Sequence, residues 1–137
     1  MTISAELLSE LIEHVLEDPR NEVCGVVAVE PGPPARAARV YRAVNVHASP
    51  LKFEIDPKEL LELWNACQQD GCELGAIYHS HVRSPPYPSQ TDVNFAANWP
   101  GVEWIIVGLA DGEQPQVRTY QIEHGDITEL PIAETAM

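Results

Sequence analysis

The stretch LGAIYHSHVRSPPYPSQTD, residues 74–92, decides the fold of this chain. It opens with a short apolar run, Leu74 to Tyr78, which predicts a buried strand. Two histidines, His79 and His81, follow at the end of that strand. A proline-rich loop then leads to Ser89, which can cap a short helix. Because side chains two residues apart on a strand leave the same side of the backbone, both imidazoles are expected on one face.

The residues upstream predict a helix followed by strands. After a Ser4 cap, apolar residues at three- and four-residue spacing predict an amphipathic helix that Pro19 ends. The runs 23–29 and 36–46 predict two strands joined by a proline-rich turn. Phe53 to Ile55 alternates like a further strand.

A second helix is predicted between Asp56, as its cap, and Gly71, near its end. Its predicted apolar face carries Leu60, Leu63, Trp64 and Cys67. Downstream, the segments 102–109 and 116–122 predict two strands around a turn at Asp111 and Gly112, and a weak strand is predicted near 127–130. Helices among about six strands predict a single α/β domain over residues 1–137 with a mostly antiparallel or mixed sheet.

Length and cysteine content limit the class of protein. The chain has 137 residues, 45% of them hydrophobic, so folding is expected to bury about two-thirds of the unfolded chain's surface. Such a domain folds without disulfides or a structural metal, and any metal is expected to be functional. Three cysteines without a CxxC motif argue against a disulfide framework and against a four-thiolate zinc site. We expect a reduced, cytoplasmic protein.

The charge balance limits the partners. Eight Lys and Arg residues stand against 21 Asp and Glu residues, which gives a net charge of −13. Nucleic acids and anionic membranes are therefore not expected as partners, because both need a positive surface. The apolar runs are shorter than the roughly 18 residues of a membrane span. The N-terminus lacks the basic and apolar regions of a signal peptide, and the sequence carries no signal for an oligomeric state.

The two histidines could share one metal ion, with Asp92 as a third ligand. Two neutral imidazoles and a carboxylate would leave zinc one open position for water, which is the arrangement of catalytic zinc sites. The same ligands also suit other divalent metals. Two other interpretations remain: unrelated histidines, and a Ser89 to Asp92 pair that only forms a helix capping box.

Four parts of the chain together resemble the JAMM (MPN+) metalloprotease family. His79-Ser80-His81, a seven-residue spacer, Ser89 and Asp92 match its signature, and Glu22-Val23-Cys24-Gly25 and the segment 53–57 resemble segments that precede it. This resemblance implies a cytidine-deaminase-like α/β/α sandwich. It also implies one zinc ion per chain and hydrolysis of a peptide or isopeptide bond at the C-terminus of a ubiquitin-like protein.

Within that family, the segment 87–92 and Val82, where many relatives have proline, resemble the bacterial Mec-type peptidases. Those enzymes release cysteine from a ubiquitin-like sulfur-carrier protein, CysO, in cysteine biosynthesis. The implied substrate is a small carrier protein whose Gly-Gly tail binds as an added strand. The alternatives are an isopeptidase that removes a ubiquitin-like modifier from lysines, and a non-catalytic MPN scaffold.

The resemblance also implies a role for each residue of the site. His79, His81 and Asp92 would hold the zinc ion. Glu22 would act as general base and then as general acid. Ser89 would donate a hydrogen bond to the developing oxyanion.

The remaining candidates are expected to be structural. Cys24 shares a face with Glu22 but is predicted to be a small core residue. His14 is predicted on the exposed side of the first helix, and surface positions are predicted for the other two histidines, His47 and His124. The three tryptophans, Trp64, Trp99 and Trp104, are predicted to pack in or around the core. The loop 83–87 either lines a substrate channel or is a stiff bridge between the ligands.

Overall fold

The computed structural model describes residues 1–110 and 114–135, and the predicted turn at Asp111 and Gly112 lies outside them. The described chain forms three helices and one mixed sheet. The helices are α1 (Ala5–Leu16), α2 (Pro57–Gln69) and α3 (Gln90–Ala96). The strands are β1 (Thr2–Ser4), β2 (Cys24–Glu30), β3 (Arg36–Ala43), β4 (Glu73–His81), β5 (Glu103–Gly108), β6 (Gln116–Glu123), β7 (Asp126–Leu130) and β8 (Ala133–Thr135).

The strands are ordered β7-β6-β5-β4-β2-β3-β1-β8 across the sheet. β4 runs parallel to β5, and β1 runs parallel to β3 and β8. The other neighbouring pairs are antiparallel. The predicted mixed sheet is therefore confirmed, with the histidine-bearing strand β4 near its centre.

Alternate side chains of the central strands enter two separate cores. On one face, Val27 and Tyr78 pack in a cluster with Leu11 of α1. On the other face, Ile77 and Trp104 belong to a cluster that includes residues of α2 and α3. Helices thus cover both faces of the sheet, and this explains why its central strands are continuous apolar runs.

The predicted helix caps are confirmed. The Ser4 side chain accepts a hydrogen bond from the backbone N–H of Leu7, and Asp56 does the same for Lys58. Gly71 lies just beyond α2 with a φ of +73°, a conformation that favours glycine. No helix in residues 1–110 or 114–135 has the length and apolar character that crossing a membrane requires.

Several strands differ from the prediction. The short strands β1 and β8 were missed, because three residues are too few to show alternation and their pairing depends on the tertiary fold. The predicted strand 36–46 ends at Ala43. The segment 53–55 contributes only a single bridge between Asn45 and Ile55.

Gly25 permits the close packing of β2 against Tyr78, and its substitution is the first test of this fold. A Cβ at Gly25 would collide with the Tyr78 ring, which is fully buried. We expect Gly25→Ala to lower the free energy of unfolding by about 1–3 kcal/mol, as overpacking of a core does, measured by urea denaturation. In combination with Tyr78→Leu, the cost of Gly25→Ala should shrink; strictly additive costs would contradict this origin.

Candidate metal centre

The end of β4 places two imidazoles on the α2 and α3 side of the sheet. His79 lies opposite Cys24 of β2 and Ile106 of β5. His79 is fully buried and His81 is 3% exposed. Their Nε2 atoms are 3.2 Å apart. The prediction that both rings share one face is confirmed.

The start of α3 brings Asp92 to the same point. Ser89 caps this helix, because its Oγ accepts a hydrogen bond from the backbone N–H of Asp92 at 3.1 Å. In return, Asp92 Oδ2 accepts a hydrogen bond from the backbone N–H of Ser89 at 2.9 Å. That same oxygen lies 3.1 Å from His79 Nε2 and 3.2 Å from His81 Nε2. Asp92 therefore takes part in the capping box and lies against both imidazole nitrogens at the same time.

The three atoms, two Nε2 and one Oδ2, form a nearly equilateral triangle with edges of 3.1–3.2 Å. Tetrahedral zinc with bonds of about 2.0 Å has ligands about 3.3 Å apart. Glu22 lies beside these atoms, since its carboxylate oxygen and the two histidine nitrogens all lie within 4.8 Å of one another. The spacing of the triangle therefore fits a metal ion held by His79, His81 and Asp92, with the Glu22 carboxylate beside it.

Contacts behind the rings orient the two histidines. Nδ1 of His81 lies 2.8 Å from the carbonyl oxygen of Pro85. A protonated Nδ1 can donate a hydrogen bond to the Pro85 carbonyl oxygen, and the lone pair of Nε2 then faces Asp92. Such contacts on the far side of the ring are typical of metal-binding histidines. His79 has no hydrogen-bond partner for Nδ1 among the described residues. Its ring is instead stacked by Phe53, at 4.3 Å between centroids.

Burial and charge set the protonation of these groups. Burial lowers the pKa of His79 and so favours its neutral ring, although Asp92 opposes this effect. Burial alone would raise the pKa of Asp92, but the two histidines hold it well below its usual value. Burial also opposes the charged form of His81, yet its hydrogen bonds to Asp92 and Pro85 raise its pKa. A metal ion binding here would therefore compete with a proton for His81.

Glu22 lies just before β2 and is 6% exposed. Burial raises its pKa to about 7, partly offset by the charge of His81 and reinforced by that of Asp92. A carboxyl group with a pKa near neutrality can both accept and return a proton at physiological pH.

A family comparison agrees with this geometry. The family model of the prokaryotic homologs of the JAB domain matches residues 4–123. The chain belongs to this family. The α/β/α sandwich with a mixed sheet, which the resemblance to MPN proteins implies, is therefore confirmed.

Individual relatives align with most of this JAB-family chain. The CysO-cysteine peptidase of Mycobacterium tuberculosis is 33% identical over 132 residues, which cover 96% of this chain and 89% of that protein. The desampylase of Haloferax volcanii is 35% identical over 112 residues, which cover 77% of this chain and 78% of that protein. A solved structure of a protein from Desulfitobacterium hafniense matches with a TM-score of 0.88 at 26% identity, covering 99% of this chain and 93% of that one.

The loop 83–87 of this JAB-family chain connects two of the proposed ligands, His81 and Asp92. Pro85 contacts His81 through its carbonyl oxygen. The next carbonyl oxygen, that of Pro86, accepts a hydrogen bond from the Tyr120 hydroxyl at 2.6 Å, and the Pro86 ring packs where a Cβ at Gly108 would lie. These contacts support the prediction of a stiff bridge, while a role of the loop in a substrate channel stays a prediction.

The prediction that His14 is exposed was wrong. His14 is 9% exposed, and its Nδ1 lies 2.6 Å from the hydroxyl of Tyr78. It follows Leu11 by three residues and precedes Val15, and both of these are fully buried. That helical spacing places His14 on the buried face, so the periodicity carried the signal and the polar residue type was given too much weight.

The other predicted structural residues lie as expected. Cys24 is buried in the core, and His47 and His124 are exposed. Trp104 is fully buried. Trp99 is partly buried against the core on the α2 side, and Trp64, which is 39% exposed, packs against Trp99 with ring centroids 6.2 Å apart.

Two residues in contact with the backbone near Glu22 were not singled out from the sequence. Ser80 accepts a hydrogen bond from the Val23 backbone N–H at 2.9 Å. Asn45 donates one to the Glu22 carbonyl oxygen at 3.0 Å. No local pattern marks Asn45, whereas Ser80 could have been singled out from its position between the two histidines.

Acid sensitivity tests the buried His14. Burial, followed by the charge of Arg42, lowers its pKa below 6.5, so the folded state binds this proton less readily than the unfolded state. Stability from this group is thus complete above pH 6.5 and is lost as pH falls below it. We expect His14→Gln to lose less unfolding free energy than wild type between pH 7.5 and 5.5 in urea titrations. An equal loss in both proteins would assign the effect to other groups.

Proposed function

We propose that this chain is a zinc-dependent peptidase that cleaves at the C-terminus of a small ubiquitin-like sulfur-carrier protein and releases cysteine from it. The proposal depends on one observation: two imidazole nitrogens and one carboxylate oxygen form a buried triangle with edges of 3.1–3.2 Å, with a second carboxylate, that of Glu22, beside it.

His79, His81 and Asp92 would hold one zinc ion per chain. Their donor atoms are the imidazole nitrogens and carboxylate oxygen that zinc accepts, and three protein ligands leave the open position of a catalytic site. When bound, zinc supplies Lewis-acid chemistry, polarising the scissile carbonyl group and lowering the pKa of a water molecule.

Glu22 takes the proton of the attacking water and returns it to the departing amine. Its pKa of about 7 suits both transfers at neutral pH. Burial causes that pKa, so the buried position of Glu22 just before β2 is part of its chemistry.

Ser89 donates a hydrogen bond from its hydroxyl group to the oxyanion that forms at the scissile carbonyl. Its oxygen accepts the hydrogen bond that caps α3, and a hydroxyl group can accept and donate at once. The cap therefore leaves the Ser89 proton available for this role.

The substrate class is supported by the relative named CysO-cysteine peptidase, which matches 96% of this chain. The second candidate function is removal of a ubiquitin-like modifier from lysines, and the relative named desampylase is the observation that favours it. The two differ at the departing amine, which is the α-amine of a single cysteine in the first and a lysine side chain in the second. A non-catalytic scaffold is disfavoured because the triangle and Glu22 are both intact.

Zinc titration tests the ligand set. We expect the purified chain to bind one zinc ion by calorimetry, and Asp92→Asn to bind it at least about tenfold more weakly, because the amide replaces a charged ligand. Affinity should fall between pH 8 and 6, since protons compete with zinc for His81, whose pKa is raised. His47→Ala is the control and should bind like wild type. Unchanged binding by Asp92→Asn would remove this residue from the site.

Cleavage of defined conjugates tests the reaction. The zinc-loaded protein is incubated with a ubiquitin-like carrier ending in Gly-Gly-Cys and, separately, with the same carrier linked through Gly-Gly to a lysine side chain. We expect mass spectrometry to record the loss of one cysteine from the first substrate, and Glu22→Gln to lower the rate about 10²- to 10⁴-fold while zinc binding stays intact.

The outcomes separate the candidates. Preferential cleavage of the lysine conjugate would favour the isopeptidase. Tight binding of the carrier without cleavage of either substrate would favour the scaffold. Equal rates for wild type and Glu22→Gln would remove Glu22 from the reaction, whereas Glu13→Gln, an exposed carboxylate on α1, should leave the rate unchanged.

A further inference from the structure

The segment 44–55 folds back on itself beside the candidate metal centre, with Asn45 at its base. The Asn45 side chain makes four hydrogen bonds. Its Oδ1 accepts from the backbone N–H groups of His47 and Glu54, both at 3.1 Å. Its Nδ2 donates to the carbonyl oxygens of Lys52 and Glu22, both at 3.0 Å. One amide group thus closes the segment and attaches it to the residue that we propose as the proton acceptor.

The backbone of Glu22 needs such attachment because it lies outside the sheet. The register of β2 with both β3 and β4 begins only at Cys24. Instead, the Glu22 N–H donates to the Ser49 carbonyl oxygen at 2.8 Å, and its carbonyl oxygen accepts from Asn45. Both hydrogen bonds of this peptide backbone therefore end on the segment 44–55.

The next residue is held by β4. Val23 donates its N–H to the Ser80 hydroxyl at 2.9 Å, and the Ser80 N–H donates to the Val23 carbonyl oxygen at 2.9 Å. Ser80 therefore attaches Val23 to strand β4, and Asn45 attaches the preceding residue, Glu22, to the segment 44–55.

The same segment also contacts a proposed metal ligand. Its residue Phe53 is 4% exposed and stacks on His79 with an interplanar angle of 24°. The segment 44–55 therefore touches the proposed base through Asn45 and a proposed ligand through Phe53.

We propose that Asn45 is a positioning residue, which holds the Glu22 carboxylate at the distance from the metal centre that proton transfer needs. The inference rests on the proposed function of Glu22. Misplacement of a reacting group by about 1 Å can lower a rate about 100-fold, so the loss of one donor at Asn45 has a large expected effect.

The test uses Asn45→Asp and Asn45→Ala. Aspartate keeps the acceptor oxygen for His47 and Glu54 but loses the donor to Glu22 and Lys52. We expect kcat to fall about 10- to 100-fold in both variants, while KM changes less than about threefold and one zinc ion still binds. The matched control is His47→Ala, which removes the side-chain contact of His47 with Glu54 in the same segment and should retain wild-type kcat.

A second measurement does not depend on activity. In the zinc-free protein, amide hydrogen exchange of Glu22 should be roughly fivefold faster in Asn45→Asp than in wild type, the equivalent of one weakened hydrogen bond. The amide of Val26, in the middle of β2, should exchange at the wild-type rate in both.

Each outcome decides the proposal. A lower kcat together with faster amide hydrogen exchange that is confined to the residues around Glu22 supports the proposal. Wild-type kcat, wild-type exchange at Glu22, or an equal effect of His47→Ala overturns it, and so does loss of the far-ultraviolet circular dichroism of the fold in both Asn45 variants. If wild type cleaves no conjugate, the proposed function fails and the exchange measurement alone decides whether Asn45 holds Glu22.

Discussion

The whole site depends on one oxygen atom, Oδ2 of Asp92. It accepts the hydrogen bond that closes the cap of α3 and lies within 3.2 Å of both imidazole nitrogens. The cap fixes where α3 begins, and the loop before it has the length to return the chain from the end of β4 to that point. The same oxygen therefore stabilises the start of the helix and assembles the candidate site. A capping box and a ligand triad, which the sequence presents as alternatives, are compatible because a carboxylate oxygen has more than one lone pair.

The sequence predicted most of the fold because its signals are local. Ser4, Asp56 and Ser89 cap the three helices where predicted, and the apolar runs became the central strands. The placement of His79 and His81 on one face also followed from sequence, by strand geometry alone. Placing Asp92 beside the histidines required the further assumption that the loop folds back, and the family resemblance supplied that assumption.

The rest could not be predicted because it depends on contacts between distant residues. Asn45 acts on Glu22, 23 residues earlier, and nothing in its neighbours marks it. β1 and β8 pair across almost the full length of the chain. His14 differs, because its helical spacing predicted burial and its polar ring argued against it. The Tyr78 hydroxyl resolved that conflict by giving the buried ring a partner, which no local pattern reveals.

The residues of β4 that alternate with the proposed ligands are as important to the candidate site as the ligands themselves. The alternation of β4 sends His79 and His81 toward α2 and α3, and Tyr78 and Ser80 toward the α1 side. Tyr78 occupies the space over Gly25, and Ser80 binds the backbone of Val23. Both contacts fall on the segment that carries Glu22, so the α1 side of β4 helps to place this proposed proton acceptor beside the candidate metal centre on the other side of the sheet. A substitution on the α1 side can therefore disturb the candidate site without touching any of its residues.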